Sequence, residues 1–417
     1  MNTLLTRGAV LPLFVLLPLA TASAEGFVDD SKLKLQLRNV YFNENFRDEH
    51  GMSARAARNA KSERSEWAQG FLLDYQSGFT PGTVGFGVDA MGLLGVKLDS
   101  GRGRSGTGLL PVHDDGRAAD EFASAGVTAK ARLAKTTLKY GTLLPKTPVL
   151  IYNDARLLPQ TYQGAQVTSA DIDNLTFTGG HLDRFKLRDS SDSVPLVPDG
   201  YGGDKSGDFN YAGADYTLGK RVRLSYFYGE LENFYRQHFA GIQHDLPLGA
   251  GVLTSDLRYF NSVDSGSAYG GKVDNHMLSG LLSYALPGHT FNAGYQTLSG
   301  DAGLPYISGA TVYSFSNVGI GKFIEEDEKT WMLGYGYDFA RVGVPGLTFS
   351  TRYLSGSDGK SQSAVNEWER DAELAYVVQS GTFKGLGVKL RNYVYRSDFS
   401  RGRDSNRLYL TYDIALW

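Results

Sequence analysis

From residue 32 to its end the chain repeats one pattern, in which apolar and polar residues alternate singly over short stretches. In the first, Leu33, Leu35, Leu37 and Tyr41 alternate with Lys32, Lys34, Gln36 and Arg38. Side chains on an extended chain point alternately to opposite faces, so each stretch predicts a strand with one oily and one polar face. The pattern returns in Val84-Phe86-Val88-Ala90, Ala212-Ala214-Tyr216-Leu218, Val222-Leu224-Tyr226-Tyr228, Leu347-Phe349-Thr351-Tyr353 and Leu408-Leu410-Tyr412-Ile414-Leu416. Many of these oily faces carry an aromatic residue near one end, as a lipid-facing band and its aromatic girdle do. The connections alternate as well. Short ones fall at 79–83, 134–137, 218–220, 246–250, 286–289, 341–345 and 381–385, and long ones at 43–64, 100–120, 144–172, 189–207, 300–329 and 355–367. Short turns on one side and long loops on the other predict an all-β chain, a transmembrane antiparallel β-barrel of about 18 strands.

The N-terminal 24 residues read differently. Arg7 precedes an apolar run from Ala9 to Ala20, and Ala22-Ser23-Ala24 forms a small-residue cleavage site, so 1–24 is read as a signal peptide removed before Glu25. Residues 25–417 then form a single barrel. Beyond residue 24 no apolar run approaches the roughly 18 residues that a spanning helix needs. The absence of cysteine excludes a disulfide scaffold, thiol catalysis and cysteine-ligated zinc. A net charge of -3 carries no bias toward nucleic acid. Trp417 supplies a terminal aromatic residue, although it is out of phase with the oily face of the last strand.

The same parity argument sorts the cations. Arg38, Lys97, Lys130, Arg132, Lys139, Arg223, Arg352, Lys389, Arg391 and Arg407 all fall on the face opposite the oily one and are predicted to line the lumen. With a two-residue turn at Lys135 and Thr136, Arg132 would sit directly across from Lys139. Acidic residues are expected to concentrate in loops, as in Asp48-Glu49 and Glu325-Glu326-Asp327-Glu328. A near-neutral chain would thus hide a segregated field, focused on a passing anion by low-dielectric walls. The plainer reading is that these cations are neutralised by inward acids such as Asp89, Asp215 and Asp256.

One connection is unlike the rest. The stretch 144–172 carries Pro145, Pro148, Val149, Leu150, Ile151, Leu157, Leu158 and Pro159, too apolar for an exposed loop. Irregular backbone at membrane depth is tolerated where it lines a cavity, so this third loop is expected to fold into the bore. It would bring Tyr152, Asn153, Asp154 and Arg156 to a constriction.

Essentially the whole chain beyond residue 24 resembles the OprD family of outer-membrane porins, and four segments carry the resemblance. They are LKLQLRNVYFN ending at Asn43, WAQGFLLDYQSGFTPGTVGFGVDAMGLLGVKLD at 67–99, AKARLAKTTLKYGTLLPKTPVLIYNDARLLPQTYQG at 129–164, and EWERDAELAYVVQSG at 367–381. The resemblance implies a monomeric 18-stranded barrel in the bacterial outer membrane, an inward third loop, and a ladder of basic residues that guides a substrate carboxylate. Here the ladder would fall on Arg38, Lys130, Arg132, Lys139, Lys389, Arg391 and Arg407, to which parity adds Arg352. The seventh loop, 300–329, departs from the family pattern and leaves the acidic side of the constriction and the substrate subclass open.

The expected function is passive, substrate-selective uptake of small carboxylates, whether monocyclic or aromatic acids or amino acids, with no cofactor and no metal. Its other partners would be outer-membrane lipid and lipopolysaccharide, with weak self-association left open. The rivals are a general, poorly selective porin and a barrel enzyme of serine-peptidase type or an adhesin. His113-Asp114-Asp115, His181 with Asp183 and His276 with Asp274 lie in no nucleophile motif, and no HExxH pair occurs. Glu325 to Glu328 read as a solvated loop face, or as carboxylates bridging divalent ions to lipopolysaccharide.

Overall fold

Alternation of this kind buries one face only if the strands pair edge to edge and close on themselves, since an open edge in lipid leaves backbone groups unsatisfied. The computed structural model describes residues 26–58, 60–360 and 365–417, with backbone alone at Val365. The expected signal peptide at 1–24 lies outside the described residues.

Eighteen strands build the wall among those residues. They are β1 (Lys32–Phe46), β2 (Glu63–Gln76), β3 (Val84–Asp99), β4 (Glu121–Leu133), β5 (Thr136–Leu143), β6 (Thr161–Ser169), β7 (Leu175–Lys186), β8 (Phe209–Leu218) and β9 (Val222–Leu231). The second half comprises β10 (Tyr235–Leu248), β11 (Gly251–Asp264), β12 (Asp274–Leu286), β13 (His289–Gly300), β14 (Lys329–Asp338), β15 (Leu347–Gly359), β16 (Val365–Val377), β17 (Gly387–Ser397) and β18 (Arg403–Ala415). Each strand pairs antiparallel with its neighbour in sequence, and β1 pairs with β18 from Lys34 opposite Ala415 to Phe46 opposite Arg403, which closes the barrel. Parity holds in the wall. On β4 and β5 Val127, Leu138 and Tyr140 are exposed outward, whereas Thr128 and Lys130 between them are buried inward.

Several connections differ from expectation. The β4–β5 turn is Ala134-Lys135, with Ala134 at a positive φ of 50°. It lies one residue earlier than predicted, which shifts the pairing by two and leaves every face unchanged. Lys130 therefore faces Lys139, and Arg132 faces Thr137, not Lys139. The predicted loop 144–172 contains β6, whose small outward residues Ala165 and Val167 give a faint alternation, so loop 3 is residues 144–160. The predicted loop 355–367 shrinks to residues 360–364, because β15 continues through Ser-Gly-Ser-Asp-Gly with a register irregularity between Gly356 and Gly359.

The apolar side chains of loop 3 are buried against the inner wall. Leu157 and Leu158 join Val40 and Phe42 of β1 and Ala68 and Leu72 of β2. Val149 and Leu150 join a larger cluster that includes Leu182, Phe227, Ile307 and Val312. A side chain at Gly70 would press on Leu157, and one at Gly229 on Val149, so bare backbone is what lets the loop approach both walls. Backbone bridges tie Ile151 to Thr311 and Pro198 to Ile307, which knits loop 3 and loop 4 (residues 187–208) to loop 7 (residues 301–328).

Candidate functional site

Inward cations in a narrow bore need counter-charge, and the wall supplies it at most of the predicted positions. On β4 the Lys130 ammonium donates to Asp89 at 2.5 Å and to the Ser77 carbonyl at 2.7 Å. Lys139 reaches the other oxygen of Asp89 at 3.2 Å, so one carboxylate on β3 bridges two lysines that would otherwise repel across the ladder. Arg132 has no ion pair among the described residues; its guanidinium lies 4.2 Å over the Phe79 ring. Lys97 pairs with Asp120, and Arg223 is exposed.

The opposite wall corrects the expectation that acids concentrate in loops. Glu367, Glu369, Asp371 and Glu373 occupy alternate positions of β16, on its inward face. Arg352 on β15 donates to Asp371 at 2.6 Å. On β17, Arg391 donates to Glu373, and Lys389 stands 3.7 Å from the same carboxylate. Parity applied to acids, as it was to cations, would have found this row in EWERDAEL. Arg38 on β1 makes a two-pronged contact with Asp154 of loop 3, at 2.5 and 2.9 Å. A guanidinium and a carboxylate match in this way as planar forks. Arg407 on β18 is directly opposite Arg391 and buried, held between the rings of Phe42 and Tyr393 at 4.3 Å from each.

Loop 3 contributes unevenly. Asp154 and Arg156 line a cavity of about 580 Å³ together with Arg38, Lys389, Arg391 and Tyr409. Arg156 donates to the Thr107 carbonyl of the second loop at 3.1 Å and lies 4.7 Å over Phe42. Burial and the nearby Arg407 and Arg188 push its guanidinium down to about 9, which still leaves it charged at neutral pH. Tyr152 does not line that cavity; it packs against the larger apolar cluster. Asn153 is spent as a staple, donating to the Gly309 carbonyl at 2.9 Å and accepting from Ala155 and from Arg188, both at 3.1 Å. The structure thus gathers Arg38, Asp154, Arg156, Lys389 and Arg391 around one cavity. It leaves Lys130, Arg132 and Lys139 on β4 and β5, near the short-turn end, and sets Arg352 on a second cavity of about 470 Å³ with Asp371 and Glu373.

Arg188 in loop 4 was not singled out from the sequence, and a lone arginine in an irregular segment carries no periodic signal. The acidic run of loop 7 is not a solvated face throughout. Glu328 is fully buried, and Asp327 pairs with Lys360 at 2.5 Å. Among the described residues no group of three or more acids and histidines is arranged to hold a metal. His276 stacks on Tyr259 at 6.2 Å, shares a hydrogen bond with its hydroxyl at 2.9 Å and faces Asp274 at 3.6 Å, which makes it part of a ring cluster.

With this geometry in hand, comparison with known proteins is decisive. Residues 25–416 match the family model described as outer membrane porin, OprD family. The porin-like protein GalP of Pseudomonas putida is 41% identical over 414 residues, covering 98% of either chain. Among solved structures, Pseudomonas aeruginosa OccK9 (OpdG) superposes with a TM-score of 0.90 at 42% identity, covering 94% of this chain and 100% of the other. Pseudomonas aeruginosa OpdK, crystallised with vanillate, gives 0.88 at 41% identity with the same coverage.

Proposed function

Because the chain belongs to the OprD family of outer-membrane porins, and so is an integral, non-enzymatic channel of the bacterial outer membrane, we propose that it passes small carboxylate-bearing solutes down their gradient. The observation that carries this reading is the cavity of about 580 Å³, with Arg38, Lys389 and Arg391 along its wall and Asp154 and Arg156 of loop 3 above them. Its size suits a solute of one ring, and the vanillate bound to OpdK is such a carboxylate. Loop 3 narrows the bore at Asp154 and Arg156. A carboxylate passing beneath it exchanges with the acids already paired to Arg38 and Arg391, then continues toward Lys130, Arg132 and Lys139 at the periplasmic end. Every rung except Arg132 is already partly neutralised, so it attracts an anion without trapping it, which conduction requires. Monocyclic acids and amino acids both satisfy this geometry, and neither a cofactor nor an energy source enters.

Planar-bilayer recording with the purified barrel tests the reading. Benzoate is expected to permeate in preference to benzylamine. Arg38→Ala combined with Lys389→Ala and Arg391→Ala is expected to reduce that preference by about tenfold or more, the effect of at least one lost charged contact. Equal permeation of benzoate and benzylamine in the unmodified channel would make it a general diffusion porin instead.

A further inference from the structure

We infer that the lipid-facing wall carries a site for the sugar-phosphate headgroup of lipopolysaccharide, built at the outer rim by β16, β17, β18 and β1. The oily face is interrupted there. Arg370 of β16 is exposed two residues inside Trp368, about 7 Å along the strand. Trp368, Tyr353 and Trp331 form a row of rings with centroids 5.8 and 5.4 Å apart, and such a girdle marks the membrane interface. The row lies toward the long loops, so Arg370 stands in the outer leaflet, just within the girdle. From it a polar seam crosses the wall. The Arg370 guanidinium donates to Asn392 of β17, and Asn392 donates to Asn406 of β18 at 2.8 Å. Asn406 is opposite Asn43 of β1, to which Asn45 donates at 2.7 Å. Asn45 in turn is opposite Asp404, and there the seam ends. Asp404 accepts from Arg396 at 2.8 Å and from Arg47 at 2.6 Å, with Arg396 also 5.9 Å over the Trp368 ring.

The charge of this patch is unbalanced. Arg47 and Arg396 share one carboxylate, and Arg370 has none within 4.0 Å among the described residues, so three guanidiniums face a single acid. Two further acids of the rim, Asp398 and Asp358, are engaged by Asn366 and Lys329. A cation on the lipid face weakens a barrel more the deeper it lies, and an amide facing hydrocarbon needs a hydrogen-bond partner. A phosphorylated sugar meets both demands. Its phosphate oxygens fit the planar fork of arginine, and its hydroxyls both donate to and accept from asparagine amides. Below the seam Leu374 and Leu390 are exposed, an oily bed for acyl chains. Sugar phosphates carried on acyl chains are the chemistry of lipopolysaccharide. A phospholipid would satisfy the arginines and leave the asparagine row without hydroxyls.

Native mass spectrometry of the full barrel in mild detergent tests the site, with bisphosphorylated lipid A, dephosphorylated lipid A and inorganic phosphate as probes. The chains compared are the unmodified one, Arg370→Gln, Arg370→Lys, Arg396→Gln and a rim control, Lys329→Gln, whose ammonium pairs with Asp358. Retained heat-modifiable migration in gels verifies that each barrel is closed. The unmodified chain is expected to hold bisphosphorylated lipid A. Arg370→Gln and Arg396→Gln are each expected to hold it about tenfold less tightly, as loss of one charge-assisted contact requires, with Arg370→Lys in between and Lys329→Gln unchanged. Arg370 lies outside the bore, so Arg370→Gln is expected to keep the preference for benzoate over benzylamine, and failure of this site leaves the channel reading standing. Equal binding by Arg370→Gln and Arg396→Gln, or equal binding of dephosphorylated lipid A by the unmodified chain, would overturn the assignment. Displacement of lipid A by inorganic phosphate at equal concentration would reduce the patch to a free-anion site. A lipid-free dimer that Arg370→Gln dissociates would give the seam to a second copy of the chain, and the lipid assignment would fall.

Discussion

Glu373 is the residue on which the charge balance around Lys389 and Arg391 turns. It accepts from Arg391 and stands 3.7 Å from Lys389, so a single carboxylate answers two cations. Asp89 does the same for Lys130 and Lys139 on the other wall. Replacing Glu373 with glutamine keeps the shape and a hydrogen-bond acceptor but frees one net positive charge beside the path. The anion-to-cation permeability ratio, read from the reversal potential in a potassium chloride gradient, is expected to rise about twofold to fivefold, since partly buried charges are weakly screened. A ratio unchanged by Glu373→Gln would mean that Arg391 and Lys389 stand off the path. At this scale the sequence was half legible. Alternation put the cations on the inner face because it is blind to everything except parity. The partners of those cations depend on which strands become neighbours and in what register, which no single strand contains.

At the scale of elements, loop 7 is held to the wall by acids. Glu369 of β16 accepts from the backbone amides of Ile320 and Gly321, at 3.0 and 2.6 Å. Glu328, at the end of the loop, is buried beside Glu367 of β16, which also accepts from the Tyr395 hydroxyl of β17. Glu325 faces the same carboxyl and gives it a backbone hydrogen bond at 3.0 Å. One Glu328 oxygen has no hydrogen-bond partner, which a proton shared with Glu367 would supply. Burial raises the Glu328 carboxyl from 4.5 to about 7. The folded chain therefore binds more protons than the unfolded one between those values. Stability is greatest below the lower value, falls as pH rises through the interval, and levels off above it. The unfolding temperature of the barrel, followed by heat-modifiable migration, is thus expected to drop between pH 5 and pH 8, and Glu328→Gln is expected to flatten the drop. An unaltered slope in Glu328→Gln would place the titrating group elsewhere. The burial of this end of the loop was invisible in Glu-Glu-Asp-Glu, which reads as a solvated run. The apolar residues of loop 3, by contrast, announced their burial through composition alone.

For the molecule as a whole, a net charge of -3 says little, because acids and bases are sorted by place. The oily face turns outward all the way round, as Leu138, Leu278 and Leu390 show by their exposure, interrupted by Arg370 of β16, which is exposed on that face and donates to Asn392. This closed, two-faced wall was legible because one period runs through the whole chain. The strand ends were not, since above the membrane a strand needs no oily face and β15 runs on through serine, glycine and aspartate. Within the bore most fixed charges cancel in pairs, so the field acting on a distant ion comes from the few that do not, Arg132 over Phe79 and Arg156 and Arg407 at the Phe42 ring among them. A field of that origin is sensitive to salt. The screening length falls from about 10 Å at 0.1 M to about 3 Å at 1 M, shorter than the radius of the path to most of the wall. Preference for benzoate over benzylamine, measured in symmetrical potassium chloride, is therefore expected to shrink about threefold or more across that range. A sieve that chose by ring size would hold its ratio constant, and a constant ratio would transfer selection from the unpaired arginines to the width left by loop 3.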